Sequence, residues 1–189
     1  MDREQLMGYV RNQMPERRWL HTQGVMETAV RLAKQYGADP EKAELAALLH
    51  DLAKYWPIDK QREMVRVHGL YPDMLDYDDV LLHAHVGAYV AKTELGIEDE
   101  EVLDAIRFHT SGREEMTLLD KVICLADYIE PGREFPGVDG IRRLAERSLE
   151  EALIAGFDST IRYLIAQGKK IYPLTVLTRN SLIDQLRGQ

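Results

Sequence analysis

Apolar residues recur along this chain at intervals of three and four, and almost nowhere at intervals of two. That spacing gathers them on one side of a 3.6-residue helix, so the pattern predicts helix after helix. A first helix covers about 2–14, punctuated by Pro15. A second runs from Glu16 to Tyr36 and is stopped by Gly37. The third opens in "ADPEKAELAALLHDLAK". There Asp39 is placed to cap it, Pro40 sits where no hydrogen bond is lost, and Pro57 closes it. A fourth spans about 59–68, before a loop with Pro72. "DDVLLHAHVGAYVAKTELG" is the fifth, ending at Gly96. "EDEEVLDAIRFHTSG" is the sixth, with acids in its first turn as the helix dipole favours. Thr117 to Glu130 is the seventh, stopped by Pro131, and "PGREFPGVDG" (131–140) reads as a loop. Ser148 and Glu151 suggest a capping box for a long helix ending near Gly168, and a short helix containing "SLIDQL" closes the chain. No repeat, low-complexity tract or linker divides it. The expectation is one all-α domain over 1–189, with a core at about 16–130 and C-terminal helices at 139–187 packed on it.

Polar residues break this pattern at particular places. In "LAALLHDLAKYWP" (45–57) a histidine and an aspartate interrupt a run of Leu and Ala, and Lys54 follows one turn later. Helical arithmetic turns several such residues inward. His21 shares a face with Val25, Ala29, Leu32 and Tyr36, and His50, Asp51 and Lys54 share one with Ala43 and Ala47. His109 lies below Val102 and Ile106, while Asp120 and Asp127 flank Ile123 and Cys124. A single inward histidine is commonly a hydrogen-bonded core residue, and a bare His-Asp pair is weak evidence. Four helices that each aim a histidine or carboxylate inward are another matter. Left unpaired, each group costs about 1–3 kcal/mol. A shared divalent cation removes that cost by making the groups ligands. His21 and Asp127 are the natural completions of a site begun by His50 and Asp51.

Composition narrows the rest. The chain has 189 residues, 45% hydrophobic and 30% charged, with a formal net charge of -8. An acidic balance argues against a general nucleic-acid surface but leaves room for a local basic pocket. One cysteine, Cys124, allows no intramolecular disulfide and no thiolate zinc site. The first twenty residues are too charged for a signal peptide, and no apolar run approaches the ~20 residues that cross a bilayer. A cytoplasmic protein with no membrane or nucleic-acid partner is expected.

The order His21, His50-Asp51, Asp127 resembles the HD superfamily of metal-dependent phosphohydrolases. Within it, "WLHTQGVMETA", "ALLHDLAK", "LLHAHVGAYVA", "FHTSGREEMTLLDKVICLADYIEPGREFPGVD" and "YPLTVLTRNSLI" resemble the YqeK-like bacterial symmetrical diadenosine tetraphosphate hydrolases. The resemblance implies an all-α HD-domain bundle with iron at its centre, and cleavage of diadenosine tetraphosphate into two ADP. It implies metal ligation by His21, His50, Asp51 and Asp127, and catalytic roles for Asp51, Lys54, His83 and His109. It brings His21, Asp51, Leu52, Ala53, Lys54, His83, His109, Thr110, Asp127 and Arg133 to the substrate, with Pro173, Leu174, Thr175, Val176, Leu177 and Thr178 lining the nucleotide pocket. The partner is then a dinucleoside polyphosphate or an ADP-like nucleotide, and a homodimer is admitted. The spacing to Gly87 and Ala88 favours His83 over His85, and His68 is expected at the surface.

Nitrogen and oxygen ligands suit Fe(II), Mn(II) or Co(II), and spacing does not choose among them. His83 and His109 fit either a second metal or imidazolium donors to phosphate, and the reading adopted is one metal with histidine donors. Two rivals remain. One is another HD phosphohydrolase acting on nucleotides, although the Gly-Tyr-Pro signature of the cyclic-dinucleotide branch is absent. The other is a metal-dependent nucleotide-binding regulator without turnover.

Overall fold

The computed structural model describes residues 2–188. Ten α-helices follow one another among them, with no strand: α1 (Arg3–Arg11), α2 (Glu16–Tyr36), α3 (Pro40–Leu49), α4 (Ile58–His68), α5 (Leu82–Thr93), α6 (Glu100–Arg107), α7 (Leu118–Ile129), α8 (Val138–Leu144), α9 (Leu149–Ala166) and α10 (Pro173–Arg187). Two 3₁₀ turns, Pro72–Asp76 and Asp79–Leu81, lead into α5. Among the described residues no helix is long and apolar enough to cross a membrane.

α7 is the hub. It packs against α2, α3, α6, α8 and α9. Leu119, Val122, Ile123, Cys124, Leu125, Ala126 and Ile129 are all buried, so this helix is apolar nearly all round, as an interior helix must be. Its start is fixed by a reciprocal capping box between Thr117 and Asp120. Arg113 also donates to Asp120 Oδ2, so one oxygen of that inward acid has structural partners while Oδ1 has none. At α9 only half of the expected box forms. Ser148 Oγ accepts from the Glu151 N–H, while the Glu151 carboxylate accepts from Arg147 instead.

The third helix departs most from expectation. It ends at Leu49, and the chain continues through i→i+3 bonds from Leu52 to Leu49, Lys54 to Asp51 and Trp56 to Ala53. His50 Nδ1 donates to the Ala47 carbonyl at 2.6 Å, taking the acceptor that an α-helix would offer the Asp51 N–H. The last helix is longer than expected, starting at Pro173 rather than near Ser181. Its buried positions are Thr175, Thr178 and Leu182. Two threonines hide the stripe from an apolar count. α8 forms at the end of the expected loop, where Val138, Ile141 and Ala145 fall on one buried side.

Behind the turn that follows α6, Gly112 adopts φ +66°, and a Cβ there would lie 2.3 Å from Thr178 Cγ2 and 2.9 Å from Phe157 Cζ. Gly112→Ala therefore adds left-handed strain to a clash with α9 and α10. A loss of about 2–4 kcal/mol is expected, seen as a thermal midpoint lower by roughly 5–15 °C.

Candidate metal centre

Three histidines are set by one local device. His50 Nδ1 donates to the Ala47 carbonyl, His83 Nδ1 to Val80 at 2.6 Å, and His109 Nδ1 to Ile106 at 2.7 Å. Each ring thus spends its Nδ1 proton on the carbonyl three residues back. Each Nε2 is left as a lone-pair donor facing the interior. His21 reaches the same state differently. Its Nδ1 lies 3.0 Å from Glu130 Oε1, and Glu130 Oε2 accepts the Gly132 N–H at 2.6 Å.

The four Nε2 atoms surround one buried carboxylate. Asp51 Oδ2 lies 3.0 Å from His50 Nε2 and 3.8 Å from His21 Nε2. Asp51 Oδ1 lies 3.0 Å from His83 Nε2 and 3.8 Å from His109 Nε2. Asp127 Oδ1 approaches His21 Nε2 at 3.0 Å and His50 Nε2 at 3.9 Å. Acceptors thus face acceptors. His21 Nε2, His50 Nε2 and Asp51 Oδ1 are buried with no hydrogen-bond partner. Such a set fits a cation, which every one of these atoms can ligate. Two groupings place ligand atoms close enough to share one ion: His21, His50 and Asp127, and His50, Asp51 and His109.

Charge is crowded here. Arg18 pairs with Asp51, and Arg133 pairs with Asp127 while also donating from Nε to the Asp127 carbonyl at 2.7 Å. Burial opposes ionisation of both acids, but His50 and His83 hold Asp51 well below the usual carboxylate range. Arg133 and His21 do the same for Asp127. Burial pushes Lys54 down, against the pull of Asp51, with Arg18 and Arg133 adding to the depression. Burial and the neighbouring His50 push His109 well down.

The structure brings His21, His50, Asp51, Lys54, His83, His109, Asp127 and Arg133 together around this centre. It does not do so for every expected residue. Leu52 and Ala53 are core side chains with no exposure. Pro173 to Thr178 form the first turns of α10. Thr178 Oγ1 bonds to the carbonyls of Leu174 and Ser111, so the segment supports the back of the Thr110 turn. None of the six lines the cavities beside the metal centre. His85 points the other way, between Tyr71 and Phe108, and burial pushes it down to about 3. His68 stacks on Tyr89 at the surface.

Three residues escaped the sequence reading. Arg18 sits one turn before His21 on the same helix face. Glu130 follows Asp127 by three. Gly24 lets the Glu130 carboxylate lie against α2, where a Cβ would stand 2.5 Å from its Oε2. A lone glycine inside a strong helix was the available signal.

Two cavities open beside the centre. One, about 790 Å³, is lined by His21, Arg17, Arg18, Tyr55, Glu130 and Arg133 among others. The second, about 690 Å³, is lined by His109, Thr110, Asp127, Tyr128, Arg133 and Phe135 among others. Arg133 borders both.

Asp51→Ala and His50→Ala should lose bound metal while keeping a native helical circular-dichroism spectrum. Glu130→Gln, which leaves every metal-facing atom in place but changes the partner of His21 Nδ1, should weaken metal affinity about 10–100-fold through the orientation of His21. Metal titration of the purified variants reads both.

The chain matches the HD domain family over residues 18–132. It is 48% identical over 184 residues to a protein of Bacillus subtilis strain 168 named bis(5'-nucleosyl)-tetraphosphatase, symmetrical, covering 97% of this chain and 99% of that one. It is 50% identical over 183 residues to a protein of the same name from Halalkalibacterium halodurans, covering 97% and 98%. A crystal structure from Clostridium acetobutylicum, described as a predicted HD superfamily hydrolase involved in NAD metabolism, shares 44% identity with a TM-score of 0.93, over 98% of each chain. With the histidines and aspartates of its centre in place and the match running almost end to end, this chain belongs to the HD-domain family of hydrolases.

Proposed function

We propose that this chain hydrolyses diadenosine tetraphosphate symmetrically, releasing two molecules of ADP, with a divalent cation held by His21, His50, Asp51 and Asp127. The observation that carries the reading is the set of unpartnered Nε2 and carboxylate oxygen atoms at the centre, ringed by three cationic side chains. Relatives named for this activity align over nearly the whole chain. The nitrogen and oxygen donors suit iron, which we take as the native metal, and manganese or cobalt would also fit them.

A phosphoanhydride resists attack because its anionic oxygens repel a nucleophile. When bound, the cation supplies a water of lowered pKa and neutralises phosphoryl charge. The chain supplies the rest. Lys54 has no ion-pair partner among the described residues, and its depressed pKa reflects partial burial beside other cations. It is a charge waiting for an anion. Arg133 carries a planar fork suited to two phosphate oxygens. Thr110 offers a hydroxyl at the edge of the second cavity.

His83 and His109 complete the reaction. Their Nε2 atoms lie 3.2 Å apart, and both Nδ1 protons are committed to backbone carbonyls. That contact is attractive only when one Nε2 holds a proton. Burial pushes the His83 pKa down and outweighs the upward pull of Asp51 Oδ1, 3.0 Å from His83 Nε2, so both Nε2 atoms start as lone pairs. The pair is placed to take up the proton that the attacking water releases and to pass it to the departing phosphate oxygen. One metal, with this histidine pair as proton donor, is the arrangement proposed.

With metal-loaded protein, diadenosine tetraphosphate should give ADP as the sole nucleotide product, resolved by ion-exchange chromatography. ATP plus AMP would refute the symmetrical cut, and stoichiometric binding without turnover would favour a sensor. Lys54→Ala should lower kcat/KM by about 10–100-fold, the worth of one charge-assisted contact, with the metal content unchanged.

A further inference from the structure

We propose that the cavity on the α2 side of the metal centre is the seat of the second ADP half of the substrate, with Tyr55 and Leu20 as its base platform and Arg17 and Arg18 as its phosphate grip. This rests on the dinucleotide reading above and deepens it.

A symmetrical cut needs two equal halves held on either side of one bond. The structure has two cavities beside one metal centre, and Arg133 stands at the border of both. At about 790 and 690 Å³ each falls in the range that encloses one nucleotide-sized ligand. The residues assigned to substrate by the sequence, His109, Thr110 and Asp127, all line the second cavity. The first cavity shares only His21 and Arg133 with that assignment, so its other walls have no role yet.

Those walls have the chemistry of a nucleotide site. Tyr55 is 54% exposed and Leu20 is 60% exposed, two large apolar side chains left open to the same space. A flat aromatic ring and an aliphatic side chain lining one cavity suit an adenine, and base–aromatic stacking is tolerant of exposure. Arg17 is exposed and has no ion pair among the described residues, although it stands one turn before Leu20 and His21 on α2. Arg18 reaches from the same turn to Asp51. Glu130, an acid in the same wall, is committed to His21 and to the Gly132 N–H. Gln23 and Glu27, further along α2, also line the cavity and offer acceptors for the exocyclic amine of an adenine. Arg18 and Arg133 thus lie toward the metal centre, Arg17 lines the same cavity from the exposed side of α2, and apolar and acceptor groups complete the walls. That is the polarity of a nucleoside diphosphate whose phosphates point at the centre.

The test uses full-length, metal-loaded protein with two variants of exposed residues, Tyr55→Ala and Arg17→Ala. Calorimetric titration with ADP should find two molecules bound per chain in the unaltered protein. Each variant should lose or weaken the second while the first binds with unchanged affinity. In steady state each variant should raise KM for diadenosine tetraphosphate on the order of tenfold, with ADP still the sole product. A single ADP per chain in the unaltered protein would overturn the proposal. So would an unchanged KM in both variants, or an equal loss of both ADP molecules. If the unaltered protein released no ADP from the dinucleotide, the hydrolase reading would fall, and the two-ADP stoichiometry would still decide the cavity separately.

Discussion

A single buried carboxylate organises this molecule. Asp51 is fully buried and turns one oxygen to His21 and His50 and the other to His83 and His109. An ionised acid in that position is tolerable only if positive charge meets it. Arg18 meets it from the protein side, histidines from α2, α5 and the ends of α3 and α6 bring lone-pair Nε2 atoms that a cation beside it would join, and α7 brings Asp127 alongside. The helices are therefore packed to satisfy an electrostatic condition as well as to bury apolar surface. The packing of α2 on α3 and α7 brings His21, His50 and Asp127 together.

Precision at the centre comes from backbone carbonyls. Three times the chain uses a histidine Nδ1 proton to bond the carbonyl three residues earlier. At His50 this also helps end the helix, so the ring and the adjacent Asp51 lie at a tight, well-determined corner. Helix termination and ligand orientation are one event. Glu130 plays the equivalent part for His21, and Arg142 fixes Glu130 in turn by donating to the carbonyls of Ile129, Glu130 and Arg133. Support for the site thus reaches as far as α8, which holds no group facing it.

The sequence displays the members of this centre better than their supports. Inward histidines and acids are legible because helical periodicity assigns them a face, and His21, His50, Asp51 and Asp127 do gather. His83 is separable from His85 because only one of two alternate positions on α5 can face Asp51. Supports made by proximity leave little trace. Arg18 and Glu130 look like ordinary surface charges until α2 and α7 are laid together, and Gly24 reads only as a weak spot in a helix. Boundaries fail where side chains compete with the backbone, as at His50. They also fail where polar residues fill core positions, as do Thr175 and Thr178 in α10. The expected pocket segment at Pro173–Thr178 occupies the first turns of α10. Its helix buttresses the turn that bears Thr110, and the cavities beside the metal are lined by other residues.

Charge counting joins the centre to its substrate. Arg18, Lys54 and Arg133 supply three positive charges, and Asp51, Asp127 and Glu130 supply three negative ones, so the side chains nearly balance by themselves. The arginines neutralise Asp51 and Asp127 directly, which lets the acids stay ionised in the interior. Adding a divalent cation leaves an excess of about two positive charges at a site screened from solvent, where such an excess is strongly felt. A tetraphosphate chain is an anion able to relieve it. The same arginines then face a choice between the acids and the phosphates, and each faces a cavity large enough for half of the dinucleotide. Arg18 borders one and Arg133 borders both. The balance between the acids and the arginines thus leaves the charge of a bound cation to be met by a polyanion, and a long polyphosphate offers that charge along its length.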